Sequence, residues 1–189
     1  KLNDEVYLYY NKKKVGAILA KSIYKINFSE HIKDIFGVED INHPGYQIIK
    51  KLGSFFLGGP VRNFIFKKYK YSKFAISPEN CKKQIKKLGV KTLAGFQTRN
   101  VPHRAHEYIL FRALEQVDGL LIHPLIGKKK KGDFLPSAVL KSYQFLLKND
   151  FYKKKIILGA LTTYMRYSGP REAVFHALIR KNYGCTHFL

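Results

Sequence analysis

The stretch from Val90 to Glu115 constrains the fold most, because it changes from a strand pattern to a helix pattern across a short polar segment. Residues 90–96 are apolar and flanked by turn residues, which is typical of a buried parallel strand. The later part carries an apolar stripe at the spacing of a helix face, made of Ala105, Ile109, Leu110, Ala113 and Leu114. This order favours an open α/β sheet, in which ligands bind beyond the carboxyl ends of the strands.

The polar residues between the strand and the helix are mostly hydrogen-bond donors. They are two amides, a hydroxyl, a guanidinium and two imidazoles, from Gln97, Thr98, Arg99, Asn100, His103 and His106. We predict that the helix begins near Pro102, and the free N–H groups of a first turn favour an anion. No carboxylate, cysteine or serine lies between residues 97 and 106. The segment is therefore suited to neutralising oxyanions, with Arg99 offering a planar fork for phosphate or sulfate.

The two histidines allow other interpretations when taken alone. His103 and His106 are three residues apart, so both side chains should lie on one side of the first helical turn. Such a pair could be surface residues or metal ligands. The usual helical zinc pair, however, has a spacing of four with a glutamate between the histidines. We therefore predict no metal held by protein ligands.

The composition is globular and strongly basic, with a formal net charge of +22. A basic nucleic-acid-binding module is one alternative, and it would show a steep salt dependence spread over many lysines. However, 28 of the 35 basic residues are lysines, which suits solvated faces, and we expect no specific nucleic-acid binding. Cys81 and Cys185 lie far apart in sequence without metal spacing, which favours a reducing cytoplasm. There is no signal peptide and no apolar run of membrane-spanning length, so we expect no membrane partner.

Residues 1–76 are predicted to form a small, mostly β domain. The pattern predicts a hairpin, further short strands and two short helices: strands Glu5–Tyr10, Val15–Ala20, Ile23–Ile26, Phe55–Leu57 and Val61–Phe66, and helices ending near Phe36 and running from Tyr46 to Lys51. Ser77 and Pro78 mark the start of a helix that should end at Leu88 before Gly89. We place the domain boundary between residues 76 and 77.

Residues 77–189 alternate between strand and helix patterns, which predicts parallel strands joined by right-handed crossovers. Two further strands are predicted at Gly119–Pro124 and Lys155–Leu161. Asp133 or Ser137 should cap the next helix, with Val139, Tyr143, Leu146 and Leu147 facing the sheet. The last helix should open at Pro170 and bury Ala173, Val174, Ala177 and Leu178. Lys128–Lys131 could form a solvated loop or attract polyanions, and Arg166 and Arg171 could be anion ligands or structural residues. His176 is predicted to be structural.

The segment Gln97-Thr-Arg-Asn100 followed by His103-Arg-Ala-His106 resembles the signature of ATP sulfurylase (sulfate adenylyltransferase), a family of His-x-x-His nucleotidyltransferases. Other segments resemble further motifs of that family, in the same order along the chain. They are His43–Gly45, Leu57–Val61, His123–Leu125, Lys129–Asp133, Met165–Ala173 and Arg180–His187. The resemblance implies a Rossmann-like catalytic domain after part of a PUA-like β domain.

The resemblance also implies the reaction and the roles of residues. The family joins ATP and sulfate into adenylyl sulfate and pyrophosphate, or runs the reverse, in sulfur metabolism. Gln97 and Arg99 are implied to hold sulfate, and Thr98 and Asn100 to contact nucleotide phosphates. The implied ATP-binding residues are Gln97, Thr98, Arg99, Asn100, His103 and His106, and all of them except Gln97 are implied to be catalytic. His103 and His106 are implied to stabilise phosphate charge in the transition state. Mg²⁺ would arrive with ATP or pyrophosphate, and the complete protein would be a cytoplasmic homo-oligomer.

Three alternatives stay open besides this one. The chain could be another His-x-x-His nucleotidyltransferase, although the motifs at Met165–Ala173 and Lys129–Asp133 argue against that. It could be the nucleic-acid-binding module considered above. It could also be a non-catalytic relative, although the complete donor set from Gln97 to His106 argues that the parent protein was selected for catalysis.

We predict that these 189 residues alone are a poor or inactive catalyst. The chain begins at Lys1 without an initiator methionine and stops at Leu189, so both ends look cut. In the family, a Gly-Arg-Asp stretch that completes the adenosine and sulfate site follows the position of Leu189, and it does not occur here. The measurement is ATP formation from adenylyl sulfate and pyrophosphate, and rapid turnover by this chain would contradict the prediction.

Overall fold

The computed structural model describes residues 1–62, 71–127, 132–148 and 155–189. The chain forms two units: Lys1–Tyr69 together with Arg166–Gly169, and Lys70–Met165 together with Pro170–Leu189. The boundary between residues 76 and 77 stays a prediction. Within the described ranges, no helix is both long enough and apolar enough to cross a bilayer.

The first unit is mostly β. In chain order it contains β1 (Glu5–Tyr10), β2 (Lys13–Leu19), β3 (Ser22–Lys25), α1 (Ile32–Phe36), α2 (Pro44–Lys50), β4 (Phe55–Gly58) and β5 (Val61–Arg62). Strands β1, β2 and β5 form one sheet, and β3 pairs with β4. The hairpin prediction is confirmed, because Asn11 and Lys12 form a two-residue turn with φ of 47° and 63° between β1 and β2. Residues 63–66 of the predicted strand Val61–Phe66 lie outside the described residues.

The second unit is a parallel sheet with helices. After a 3₁₀ turn at Ser72–Phe74 it contains α3 (Pro78–Leu88), β6 (Leu93–Thr98), α4 (Arg104–Leu114), β7 (Gly119–Pro124), α5 (Pro136–Leu146), β8 (Ile156–Leu158), α6 (Gly169–Asn182) and β9 (His187–Phe188). The strand order is β8-β7-β6-β9, and all neighbouring pairs are parallel. This confirms the Rossmann-like prediction. The order reverses between β6 and β9, so the end of β6 lies at the switch point where such folds bind ligands.

Helix α3 follows the sequence signals closely. The Ser77 hydroxyl accepts a hydrogen bond from the Asn80 N–H at 3.2 Å, which confirms the predicted cap. Gly89 ends the helix with a φ of 65°. The cap predicted for α5 was wrong, because Leu135 occupies the cap position and makes no side-chain hydrogen bond there. The predicted face of α5 is confirmed, since Val139 and Tyr143 are fully buried in the core.

The bounds predicted for β6 and α4 need correction. Strand β6 begins at Leu93 and continues through Thr98, because its ladder with β7 extends to the pair Thr98–Pro124. Helix α4 begins at Arg104, so Pro102 precedes the helix. The predicted apolar stripe is only partly buried, because Leu110 and Ala113 are buried whereas Ala105 is exposed and Ile109 is 41% exposed.

The buried face predicted for α6 was also wrong. The helix buries Glu172, His176 and Arg180, while Val174 and Leu178 are 59% and 55% exposed. The buried residues are spaced by four and therefore form one stripe. The buried polar side chains contact one another, and Arg180 Nη2 donates a hydrogen bond to the carbonyl oxygen of His123 at 3.1 Å, contacts that hydropathy does not reveal.

His123 lies at the end of β7 with its ring completely buried. The imidazole packs edge-on against Tyr183, with ring centroids 4.6 Å apart. Among the described residues, neither ring nitrogen has a hydrogen-bond partner. Burial, followed by the charges of Arg180 and His176, lowers the pKa of His123 from 6.5 to about 3.

We predict that His123 makes folding stability fall with acidity. The pKa of His123 in the folded state lies below its unfolded value, so as the pH falls the unfolded state binds a proton first. The loss of folding stability from this residue therefore begins near pH 6.5 and continues to about pH 3. Between about pH 7.5 and about pH 5 the wild type should lose roughly 2 kcal/mol more than His123→Leu, at 1.36 kcal/mol per pKa unit. Urea unfolding at both pH values measures the difference. His187→Asn, which removes an exposed imidazole, is the control, and equal losses in wild type and His123→Leu would contradict the prediction.

Candidate active site

The carboxyl ends of β6, β7 and β8 are joined by hydrogen bonds between the segments that follow them. The Leu125 N–H donates to the carbonyl of Thr98 at 2.8 Å, and the Gly127 N–H donates to the carbonyl of Thr163 at 3.1 Å. Gly127 permits this approach, because a Cβ there would collide with the Thr163 backbone. The segments that carry the predicted site are therefore held together at one edge of the sheet.

The turn after β6 is shaped by Thr98. Its buried hydroxyl accepts a hydrogen bond from the Asn100 N–H at 3.1 Å and lies 3.3 Å from the Asn100 carbonyl oxygen. The side chain of Asn100 is exposed. These contacts assign Thr98 to the geometry of the turn, which directs Asn100 outward. A direct contact between Thr98 and phosphate stays a prediction.

Arg99 lies beside a carboxylate that the sequence analysis assigned to a helix cap. Nη1 of Arg99 is 3.5 Å from Oδ1 of Asp133, and the side chains are 32% and 11% exposed. Asp133 is thus not a helix cap, and its carboxylate lies next to the guanidinium of Arg99. The sequence signal was its place in the motif Lys129–Asp133, of which residues 129–131 lie outside the described ranges.

The two imidazoles stack at the start of α4. The rings of His103 and His106 have centroids 3.9 Å apart and planes at 27°, which confirms that both lie on one side of the first turn. His103 occupies the N-cap position, and the first helical hydrogen bond runs from the Glu107 N–H to the His103 carbonyl at 3.0 Å. The N–H groups of residues 104–106 therefore have no acceptor within the helix.

His106 is the more enclosed of the two histidines. It packs against Phe96, with centroids 5.4 Å apart. Burial lowers the pKa of His106, and the charge of His103 lowers it further. At neutral pH the enclosed ring is consequently neutral, and one ring nitrogen can donate a hydrogen bond.

Gln97 is half-buried in the last part of β6, opposite His123 in the ladder with β7. Its Nε2 lies 4.0 Å from Sδ of Met165, a neighbour that the sequence analysis did not single out. The motif Met165–Ala173 was the available signal. Arg171 is exposed in the first turn of α6, and Arg166 belongs to the first unit, where its carbonyl lies against Gly45.

The donor set does not suit a metal held by protein side chains. In the described ranges, no group of three or more histidine, cysteine, aspartate or glutamate residues could hold an ion. Mg²⁺ prefers oxygen ligands, whereas amides, a guanidinium and imidazoles at a helix N-terminus favour anions.

Comparisons with known proteins agree with this chemistry. The ATP-sulfurylase family model matches residues 72–189, and a PUA-like domain model matches residues 1–65. A sulfate adenylyltransferase from Persephonella marina is 39% identical over 198 residues, which is 100% of this chain and 50% of the relative. One from Synechocystis is 42% identical over 176 residues, which is 93% of this chain and 45% of the relative. The chain thus spans about half the length of the curated relatives it matches.

A solved structure described as a hexameric APS kinase from Thiobacillus denitrificans is similar in fold. Its TM-score is 0.71 at 16% identity, and the match covers 100% of this chain and 34% of that chain. At this identity the likeness supports the fold alone. The family follows from the model that matches residues 72–189, more than half of the sequence. This chain belongs to the ATP-sulfurylase family.

Proposed function

We propose that the protein is a sulfate adenylyltransferase, a nucleotidyltransferase that forms adenylyl sulfate and pyrophosphate from ATP and sulfate, or runs the reverse. The observation that carries the proposal is the pair of stacked imidazoles at the N-terminus of α4, in the same short connection that carries Arg99 after the end of β6. This arrangement occurs in a member of the ATP-sulfurylase family.

The reaction requires negative charges to be brought together. Sulfate is fully ionised at neutral pH, so no base is needed to make it a nucleophile. The attacking sulfate, the reacting phosphate and the departing pyrophosphate repel one another, and positioned donors lower that cost. Asp133, the carboxylate next to Arg99, pairs with a cation and is not needed as a base in this reaction.

Gln97 and Arg99 are proposed to bind sulfate. Gln97 offers a neutral amide donor and Arg99 a planar cation, which together suit an oxyanion with several acceptors. Asn100 is proposed to contact the nucleotide phosphates. Thr98 is proposed mainly to hold the turn and also to contact phosphate. The exposure of Asn100 and the burial of Thr98 support this division.

His103 and His106 are proposed to stabilise charge on the α- and β-phosphates. The enclosed His106 can donate one hydrogen bond as a neutral ring, and a phosphate nearby would favour its protonated form. The backbone N–H groups of residues 104–106 and the positive end of α4 add to the same field. Mg²⁺ enters this proposal only as part of the substrate MgATP or of magnesium pyrophosphate.

Self-association and a cytoplasmic location are further proposals. They rest on the family resemblance.

We predict that Arg99→Ala and His106→Ala each lower the rate by about 10²–10³, the usual scale for one oxyanion donor. The variants are made in the protein that carries this sequence at its natural length. The measurement is pyrophosphate-dependent ATP formation from adenylyl sulfate. Arg112→Ala is the matched control, because Arg112 lies on α4 like His106 but is exposed and pairs with Glu115.

Two results would contradict this proposal. Nearly full activity in both variants would remove Arg99 and His106 from the mechanism. Transfer of the adenylyl group to a different acceptor, with none to sulfate, would identify another nucleotidyltransferase of the same class. A screen of acceptors with radiolabelled ATP measures the second result.

A further inference from the structure

Helix α6 contains a buried chain of polar contacts. Nε2 of His176 is 3.3 Å from Oε1 of Glu172, and Nδ1 of His176 is 2.9 Å from Nη1 of Arg180. Because a guanidinium can only donate, Nδ1 of His176 must accept, and the ring proton lies on Nε2 and points to Glu172. The carboxylate therefore orients the imidazole, and the imidazole orients Arg180.

Arg180 reaches from this helix to the end of the sheet. Its Nη2 donates to the carbonyl of His123 at 3.1 Å, and its side chain crosses β6 at Gly95. A Cβ on Gly95 would lie 2.6 Å from Cγ and 2.9 Å from Cβ of Arg180, so glycine is needed for this path. His123 is the residue opposite Gln97 in the ladder between β6 and β7.

Gln97 lies on the same face of β6 as Gly95, since side chains alternate along a strand. Leu93 on that face packs in the core near α3 and α6, whereas Ala94 and Phe96 pack against α4 and α5. Arg180 therefore lies behind Gln97 and holds the backbone of its neighbour on β7. The contact acts at the sheet edge that carries the candidate site.

Stability alone does not explain these buried polar groups. Burial lowers the pKa of Arg180 from 12.5 to about 10, which reflects the cost of removing the guanidinium from water. Replacing buried charged networks with apolar side chains is often neutral or stabilising. Helix α6 carries such side chains, Val174 and Leu178, on its exposed face.

We propose that Arg180, oriented by His176 and Glu172, is a positioning residue that sets Gln97 and the ends of β6 and β7 for binding an oxyanion. It is not a catalytic residue, because it is buried beneath the edge. The inference rests on the proposed function for the identity of that oxyanion, sulfate. Gln97 is proposed to hold sulfate, so sulfate binding should depend on Arg180 more than nucleotide binding does.

The test is Arg180→Met in the protein at its natural length. The KM for sulfate should rise by at least about tenfold, since a small misplacement can cost up to about 10²-fold, whereas the KM for ATP should change by less than about twofold. Gly95→Ala should reproduce the effect while retaining every polar group, because it displaces the Arg180 side chain. Leu178→Ala, on the exposed face of α6, is the control that should leave both constants unchanged.

A second readout does not depend on activity. The NMR signals of the Gln97 side-chain amide should shift in Arg180→Met, while those of the exposed Gln144 should not. If the wild type makes no adenylyl sulfate, the proposed function fails, and this shift still decides whether Arg180 positions Gln97. Should Arg180→Met fail to fold, Gly95→Ala and Arg180→Lys carry the same readouts.

The proposal is overturned by a folded variant with the wild-type KM for sulfate and unshifted Gln97 signals. It is also overturned if the KM values for sulfate and ATP rise equally, because that would indicate a general loss of structure.

Discussion

The parallel ladder between β6 and β7 is the interaction on which the candidate site depends. It continues to the pairs Gln97–His123 and Thr98–Pro124, so the first polar residues of the site are still part of the sheet. A strand end is more rigid than a loop, and oxyanion binding requires donors held in place before the ligand arrives. The Thr98 hydroxyl, the Leu125 N–H and Arg180 each add a hydrogen bond near the same position.

The two faces of the sheet near the carboxyl end of β6 have different surroundings. On one face, Phe96 and the first turn of α4 enclose His106 and keep its ring neutral. On the other face, Gly95 leaves room for Arg180, which supports the backbone beside Gln97. Charge is thus concentrated beneath and around the strand ends, while the apolar core lies further along the strands.

Sequence patterns were sufficient for several elements whose bounds depend on local chemistry. The cap at Ser77, the stop at Gly89, strand Gly119–Pro124 and the strand–turn–helix order around Gln97 were all predicted. The buried face of α6 could not be predicted from hydropathy, because its buried residues are polar and one of them bonds to a residue 57 positions away in sequence. Asp133 was misassigned for the same reason, since its partner Arg99 is 34 residues away.

The contact between Arg99 and Asp133 changes how an oxyanion would enter. A guanidinium surrounded only by water attracts any anion, and its affinity falls steeply with ionic strength. Because the Asp133 carboxylate lies 3.5 Å from the guanidinium, an incoming dianion would have to compete with it for Arg99. If Arg99 binds an oxyanion as proposed, this competition would favour a doubly charged ligand that forms two hydrogen bonds over chloride, and selectivity among anions would be gained at the cost of affinity.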